Sequence, residues 1–265
     1  MVILSEASLT ESEVHSSKGN QLKWKVDNMW YKADFLGYEG AAEYFVYKIL
    51  EHSNVCTYAE YGIDHIQYNG RILAGCVSKN FLHDGQRIVT AERLFMAQYG
   101  KLADYVICDY GLEGRIGQFV DCMEAMTDIN DFGAYLTMLL ELDAITLNED
   151  RHFHNIAVLQ NYDGSFEVCP VFDNGAAFLS DTRNDYPLGG DVKDLIPNVS
   201  AKPFSLQFDA QMEVCEHLYG RQLSVSDFDT SECLGVIEQI YGNRVSDRIR
   251  QIYEYQKEHY REFFI

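Results

Sequence analysis

Two short stretches carry the pattern that decides the fold: residues 147–155 read LNEDRHFHN, and residues 171–175 read VFDNG. Between them lie two apolar segments, 155–159 and 166–172, separated by the turn-forming letters NYDG, and this pattern predicts a β-hairpin. An antiparallel hairpin places the start of its first strand beside the end of its second. We therefore expect Asn155 and Asp173 to lie close together, with Asp150 pointing into the same space.

The side chains gathered in this way indicate chemistry with a metal ion and a hydroxyl group. Asn155 and Asp173 offer hard oxygen ligands of the kind that suit Mg²⁺, since this ion uses one or two protein carboxylates and completes its coordination with water and substrate phosphates. Asp150 does not need to bind metal, and an acid in its position can orient and deprotonate a hydroxyl nucleophile. His152 and His154 leave open an alternative in which they and the acids hold a transition metal in a hydrolase site.

The first eighty residues predict a small antiparallel sheet with one helix. Apolar residues that alternate with lysines at 22–26 predict a strand, and a two-residue turn leads into a second strand at 29–33. Apolar positions at helical spacing predict a helix at 40–50. Two more strands, at 58–67 and 71–77, flank an Asn-Gly pair, which is the strongest short signal for a hairpin. We thus expect four antiparallel strands.

Two residues of this region indicate phosphate binding. Lys32 lies on the second predicted strand, and Glu43 lies near the start of the predicted helix. This order allows a carboxylate to hold an ammonium against the α- and β-phosphates of a nucleotide. Glu39 is the alternative partner for the lysine.

The remainder of the chain is predicted to be mainly helical, which makes the fold class α+β. Apolar stripes indicate helices at 91–99, 116–125 and 131–145. Residues 181–206 contain three of the four prolines and predict a long loop, a kind of segment that is often functional in compact domains. Closing helices are expected between residues 210 and 264.

The ordered motifs resemble those of a known family. Asp150-Arg151-His152-x-x-Asn155 followed by Asp173-x-Gly175 is similar to the catalytic loop and the metal loop of the HipA-like Ser/Thr kinases, including the compact CtkA-type members. The match is more distant to phosphatidylinositol 3- and 4-kinases. Residues 39–45, which read EGAAEYF after Lys32, resemble the acid-bearing helix of the same families.

The resemblance implies a bilobal protein-kinase-like fold that uses ATP and Mg²⁺. The N-lobe would be the small antiparallel sheet with one helix, residues 1–80, and the mainly helical C-lobe would be residues 81–265. It implies that Lys32 contacts the nucleotide phosphates and that Glu43 orients it. Asp150 would be the catalytic acid, and Asn155 and Asp173 would be the Mg²⁺ ligands.

The resemblance also implies two further nucleotide contacts. The end of the fourth predicted strand, at Cys76, Val77 and Ser78, would be the interlobe hinge that offers backbone groups to adenine. The loop that contains Ser16, Ser17 and Gly19 would cover the phosphates. Because HipA-like kinases can phosphorylate a serine in that loop, Ser16 and Ser17 are the candidates for autophosphorylation.

The composition and net charge of the chain limit the classes of molecule that it is expected to bind. The 265 residues include 21 Lys and Arg against 41 Asp and Glu, and the formal charge of −20 argues against nucleic-acid and membrane-surface partners. Seven cysteines without a CxxC pair are typical of reduced thiols. The chain has no apolar run long enough for a membrane span and no signal-like start, so we expect a soluble cytoplasmic protein, with a secreted effector that lacks a classical signal as the alternative.

On these grounds we expect a HipA-like kinase that phosphorylates a Ser or Thr hydroxyl of a protein. Two alternatives stay open. One is a kinase-fold module that binds a nucleotide or a partner without transfer. The other is a kinase that acts on a small-molecule or inositol-lipid hydroxyl, although no basic membrane-seeking stretch favours a lipid.

Overall fold

A five-stranded sheet forms the first part of the computed structural model, which describes residues 1–6, 9, 21–107 and 111–265. The order in the sheet is β1-β4-β5-β3-β2. Its strands are β1 (Val2–Ile3), β2 (Lys23–Val26), β3 (Met29–Ala33), β4 (Tyr61–Tyr68) and β5 (Arg71–Lys79). The four predicted strands are present, but the predicted number is wrong because β1 adds a fifth strand, which pairs in parallel with β4.

The hairpins of this sheet follow from their turn residues. Asn69 and Gly70 both have positive φ angles, of 47° and 74°, as a two-residue turn between strands with right-handed twist requires. The turn at residues 27 and 28 is equally short, so Lys23 pairs with Lys32 across the β2–β3 ladder. This register places both lysines on one face of the sheet.

Helix α1 (Glu39–Glu51) lies directly against the middle of this sheet. Gly40 makes the close approach possible, since a Cβ atom there would lie 2.8 Å from the carbonyl carbon of Gly75 and 2.9 Å from the nitrogen of Cys76, both in β5. The opposite side of the helix packs into the main core, where the ring of Phe45 makes edge contacts with Phe178 and Tyr253. The helix is therefore fixed from both sides.

The second part of the chain is mainly helical, as predicted. It contains α2 (Ala91–Tyr99), α3 (Ala103–Val106), α4 (Gly111–Thr127), α5 (Phe132–Thr146), α6 (Val192–Leu195), α7 (Phe208–Tyr219), α8 (Ser231–Tyr241) and α9 (Asn243–His259), with short 3-10 turns at Ile196–Asn198 and Arg261–Phe263. Among the helices of the described ranges, none has the length and apolar character needed to cross a bilayer.

A three-stranded sheet interrupts the helices and carries the motifs. Its order is β6-β7-β8, formed by β6 (Arg87–Thr90), β7 (Ala157–Gln160) and β8 (Phe166–Val168). The predicted hairpin is present, but β6 was not predicted, and β8 ends at Val168 rather than at residue 172. Beyond β8 the chain turns to pair with another segment, since Val171 forms a parallel bridge with Tyr58.

Candidate active site

Lys32, Glu43 and Asp173 form an ionic cluster where β3, α1 and the segment after β8 meet. Lys32 Nζ lies 2.9 Å from Glu43 Oε1 and 2.7 Å from Asp173 Oδ1. Glu43 is almost fully buried, and the lysine side chain is 14% exposed. The structure thus brings together three residues that are 11 and 141 positions apart in sequence.

Burial opposes the charged forms of Lys32 and Asp173, but their mutual attraction is stronger. The carboxylates of Asp173 and Glu43 hold the pKa of Lys32 well above its ordinary value. The ammonium of Lys32, with a further contribution from Lys23, holds the pKa of Asp173 well below its usual range. Both groups are therefore charged at neutral pH.

Glu43 connects the lysine to the metal loop that the sequence predicts. Its Oε1 accepts a hydrogen bond from Lys32, and its Oε2 accepts one of 2.8 Å from the backbone N–H of Asn174. Glu39, the alternative partner of the lysine, has a different role. It accepts backbone hydrogen bonds from Phe35, Leu36 and Gly37 at the start of α1.

Asp173 has an unusual backbone conformation. Its φ angle is 59°, in the left-handed region that residues other than glycine rarely adopt, although Asp and Asn tolerate it best. Such residues cluster at functional sites, where the surrounding structure enforces the strain. The residue with this strained backbone is Asp173, whose carboxylate contacts Lys32.

Asp150 lies on the loop between α5 and β7, at the same site. Its backbone carbonyl accepts hydrogen bonds from Asn155 Nδ2 at 2.8 Å and from the His152 N–H at 2.9 Å, which fold the loop back on itself. Its carboxylate lies 3.1 Å from Lys202 Nζ and 3.6 Å from His152 Nε2. Burial lowers the pKa of His152 and favours a neutral ring there.

Arg151 connects this loop to helix α5 and to Asn174. Its guanidinium makes two hydrogen bonds of 2.9 Å to the carboxylate of Asp143, one of 2.6 Å to Asn174 Oδ1 and one of 3.1 Å to the carbonyl oxygen of Asn155. Arg151 and Asp143 are both buried. Because breaking such a pair leaves an uncompensated buried charge, the network fixes the segment 150–155 relative to the segment 173–175.

A cavity of about 70 Å³ opens at the ionic cluster. This is room for a few water molecules or one phosphate group. Its lining includes carboxylates, an amide and a lysine from both parts of the fold: Lys23, Glu39, Glu43, Asp150, Asn155, Asp173 and Asp181.

The donor atoms in this cavity fit Mg²⁺. The amide nitrogen of Asn155 is used in its bond to the Asp150 carbonyl, which leaves the amide oxygen as the coordinating atom. Asp173 supplies a carboxylate. Two oxygen donors from the protein are enough for Mg²⁺, which retains water and phosphate ligands. Among the residues with described positions, no three His, Cys, Asp or Glu side chains cluster as an all-protein metal site would require, so the transition-metal alternative has no support from this part of the chain.

The residues of the predicted hinge lie at the end of β5. Cys76, Val77 and Ser78 each pair with β3 on one side and with β4 on the other. The strand ends at Lys79. A contact of this segment with adenine stays a prediction. Residues 79–83 line a second cavity, of about 400 Å³.

Three predicted site residues, Ser16, Ser17 and Gly19, lie outside the described residues, and their roles stay predictions. The division of the chain at residues 80 and 81 and the roles of the residues in the cavity also stay predictions.

Sequence reasoning missed two lysines at the site. Lys23 lines the cavity, and a signal for it existed, because a two-residue turn at 27 and 28 fixes Lys23 opposite Lys32. Lys202 reaches Asp150 from 52 residues away in the long loop. A contact across that distance in an irregular segment leaves no periodic pattern in the sequence.

Comparison with known proteins identifies the fold. The chain is similar to the crystal structure of a Helicobacter pylori proinflammatory kinase, CtkA, with a TM-score of 0.59 over 94% of this chain and 92% of that chain. The chain has a kinase fold. Sequence identity to CtkA is 14%, and no protein-family model and no curated protein matches the chain. The predicted α+β, bilobal kinase-like fold and its resemblance to the CtkA type are thereby confirmed at the level of structure.

Proposed function

We propose that this protein is an ATP- and Mg²⁺-dependent kinase of HipA-like type that transfers the γ-phosphoryl group to a Ser or Thr hydroxyl of another protein. The observation that carries the proposal is that Lys32 bridges Glu43 and Asp173, two carboxylates that line one cavity together with Asp150 and Asn155. Ordinary ion pairs at the protein surface are exposed to solvent, whereas the side chains of Lys32 and Glu43 are only 14% and 2% exposed.

The lysines of the sheet would bind the nucleotide phosphates. Lys32 is held by Glu43, so its ammonium keeps a fixed position when a phosphate oxygen replaces Asp173 as its second partner. Lys23, directly across the ladder, adds a second positive charge to the same face. Positioning and charge neutralisation are the main contributions that proteins make to phosphoryl transfer.

Asn155 and Asp173 would hold Mg²⁺. When bound, this ion neutralises phosphate charge during transfer. The contact between Lys32 and Asp173 keeps that carboxylate ionised, and an ionised carboxylate is the form that binds a cation. Asp150 would orient the acceptor hydroxyl and receive its proton.

A protein as the acceptor follows from the resemblance to HipA-like kinases. A formal charge of −20 favours encounter with a basic partner by electrostatic steering. Autophosphorylation at Ser16 or Ser17 and a cytoplasmic location belong to the same proposal.

Transfer of label from [γ-³²P]ATP in the presence of Mg²⁺ tests the proposal. Asp150→Ala and Asp173→Ala should each reduce transfer, to the protein itself or to proteins of a lysate, to background, because one removes the group that orients the acceptor and the other removes a metal ligand. Asp121→Ala, at an exposed position on α4, is the matched control and should keep wild-type transfer.

Thermal unfolding would establish that each variant is folded. Full transfer by either folded site variant would contradict the proposal. Binding of ATP by the wild-type protein without any transfer would favour the binding-module alternative.

A further inference from the structure

Lys202 lies against the carboxylate of Asp150, although it belongs to the long segment between the metal loop and α7. Its Nζ is 3.1 Å from Asp150 Oδ1, and its side chain is 40% exposed, whereas that of Asp150 is 10% exposed. The lysine is therefore the more exposed partner of the pair, and Asp150, which lines the cavity, is the more buried one. An ammonium has three N–H donors, and Asp150 accepts one of them.

The backbone that carries Lys202 is held by buried side chains. Gln211, fully buried on α7, donates from Nε2 to the Lys202 carbonyl at 2.9 Å and accepts at Oε1 the N–H groups of Phe204 and Ser205, each at 3.2 Å. Arg115 on α4 donates to the carbonyl of Phe204 at 3.1 Å. The half-exposed side chain of Lys202 is thus attached to a backbone segment that several side-chain hydrogen bonds fix in place.

Aromatic packing joins the same segment to the catalytic loop. The buried ring of Phe204 lies 5.5 Å from the ring of Phe153 and 5.3 Å from that of Phe119. Phe153 is three residues after Asp150, within the loop itself. Edge-to-face contacts of this kind stabilise the packing beyond what the burial of apolar area contributes. Lys202 and Asp150 are therefore parts of one packed unit.

The charges near Asp150 give the lysine a distinct role. Asp150 Oδ2 lies 3.6 Å from His152 Nε2, and its Oδ1 lies 3.1 Å from Lys202 Nζ. Lys32 and Lys23 serve the other end of the cavity, at Asp173. Lys202 contacts the acid that is expected to receive the proton of the acceptor hydroxyl.

We propose that Lys202 is a catalytic residue that donates a hydrogen bond to a non-bridging oxygen of the γ-phosphoryl group while that group moves to the acceptor. The inference rests on the proposed function and extends it to the residue that serves the transferring group. In the step, the bond between the γ-phosphorus and the β–γ bridging oxygen breaks and leaves ADP. The acceptor oxygen forms the new bond to phosphorus, and its proton passes to Asp150. Lys202 keeps its protons and stabilises the charge on the transferring group.

The ratio of ATP affinity to ADP affinity tests this assignment, because only ATP has the γ-phosphate. We would measure both affinities with Mg²⁺ by calorimetry, and single-turnover transfer with labelled ATP. Lys202→Met should lower the affinity for ATP relative to ADP about tenfold, as expected for one charge-assisted hydrogen bond. Transfer should fall by about 100-fold.

Three variants separate contact from positioning. Lys202→Arg keeps the charge and should retain most of the preference for ATP. Asp150→Ala should abolish transfer without lowering the relative affinity for ATP. Lys193→Met, at an exposed lysine on α6, makes the same change of charge elsewhere in the long segment and should behave as wild type.

An unchanged ATP-to-ADP ratio in folded Lys202→Met overturns the inference, even if transfer falls, because the lysine then acts only through Asp150. If Lys202→Met does not fold, Lys202→Gln is measured in its place under the same criterion. Failure of the wild-type protein to bind either nucleotide would instead reject the proposed function itself, and this inference with it.

Discussion

Asp34 and Asp173 both lie beside α1, yet their pKa values move in opposite directions. Asp173 faces an ammonium and stays ionised. Asp34 Oδ1 accepts the Gly40 N–H at 2.7 Å, and its Oδ2 is buried near the hydroxyl of Tyr241. Burial, together with the nearby carboxylate of Glu39, raises the pKa of Asp34 to about 8. The local environment decides the charge of each group.

The raised pKa of Asp34 predicts a stability that depends on pH. In the unfolded chain this carboxyl titrates near 3.8, and in the folded protein near 8. Between these values the folded state binds the extra proton, so the free energy of unfolding decreases as the pH rises through this window. Asp34→Asn keeps the acceptor oxygen without the charge. It should raise the melting temperature at pH 8 by about 2–4 °C or more, and leave it nearly unchanged at pH 4.

Thermal unfolding at pH 4, 6 and 8 would measure this effect. Asp84→Asn, at an exposed position in the loop before β6, should keep the wild-type dependence on pH. Equal pH dependence in wild type and Asp34→Asn would show that Asp34 is not held in its neutral form.

Single residues differ in how well the sequence could predict them. The partners Lys32 and Glu43 follow from the order of strand and helix, and the structure brings them together at 2.9 Å. The end of β5 was predicted two residues too early, at Val77, because β-propensity does not mark the end of a strand sharply and β5 continues to Lys79. Lys202 could not be predicted, since its contact with Asp150 depends on the packing of an irregular segment.

At the scale of elements, the position of α1 decides whether Glu43 reaches Lys32. The helix approaches β5 closely only because residue 40 has no side chain. A Cβ atom there would lie 2.6 Å from the Tyr241 hydroxyl oxygen and within 3 Å of the β5 backbone. The backbone of a central strand cannot yield easily, so α1 would have to shift.

Gly40→Ala should therefore destabilise the fold by about 1–3 kcal/mol, as overpacking does. It should also weaken nucleotide binding, because Glu43 would move with the helix. Gly235→Ala in α8 is a matched control, since its Cβ would meet no atom within 4 Å. That substitution should be neutral or stabilise by up to about 1 kcal/mol.

Urea unfolding would measure the free energy of unfolding of each variant, and a separate titration of the folded protein would measure its affinity for the nucleotide. Equal stability and equal affinity in both would contradict the packing that we describe for α1.

Elements with local signals were the ones that the sequence predicted well. Strand β3 and helix α2 have the predicted bounds, because a short turn defines the first and a regular apolar stripe the second. Strands β1 and β6 were missed. β1 has only two residues, and β6 pairs with β7, which lies far along the chain. Pairing between distant short segments depends on the rest of the fold and not on their own composition.

At the scale of the molecule, the fold brings residues from both parts of the chain to one cavity. Lys23, Glu43, Asp150 and Asp173 line it together. The main core extends from α1 to the closing helices, where Phe45 contacts Tyr253 of α9, so the two parts of the fold share buried surface. The order of the motifs along the chain was sufficient to predict this architecture, because proteins with a kinase fold carry these motifs in the same order.

The measurement that tests the account most directly is a crystal structure grown with Mn²⁺ and a non-hydrolysable ATP analogue. Mn²⁺ replaces Mg²⁺ at oxygen-ligand sites and is located by its anomalous signal. We predict a metal peak in contact with both Asn155 and Asp173, and analogue phosphates in contact with Lys32. A metal bound away from those two side chains, or an analogue whose phosphates do not contact Lys32, would contradict it.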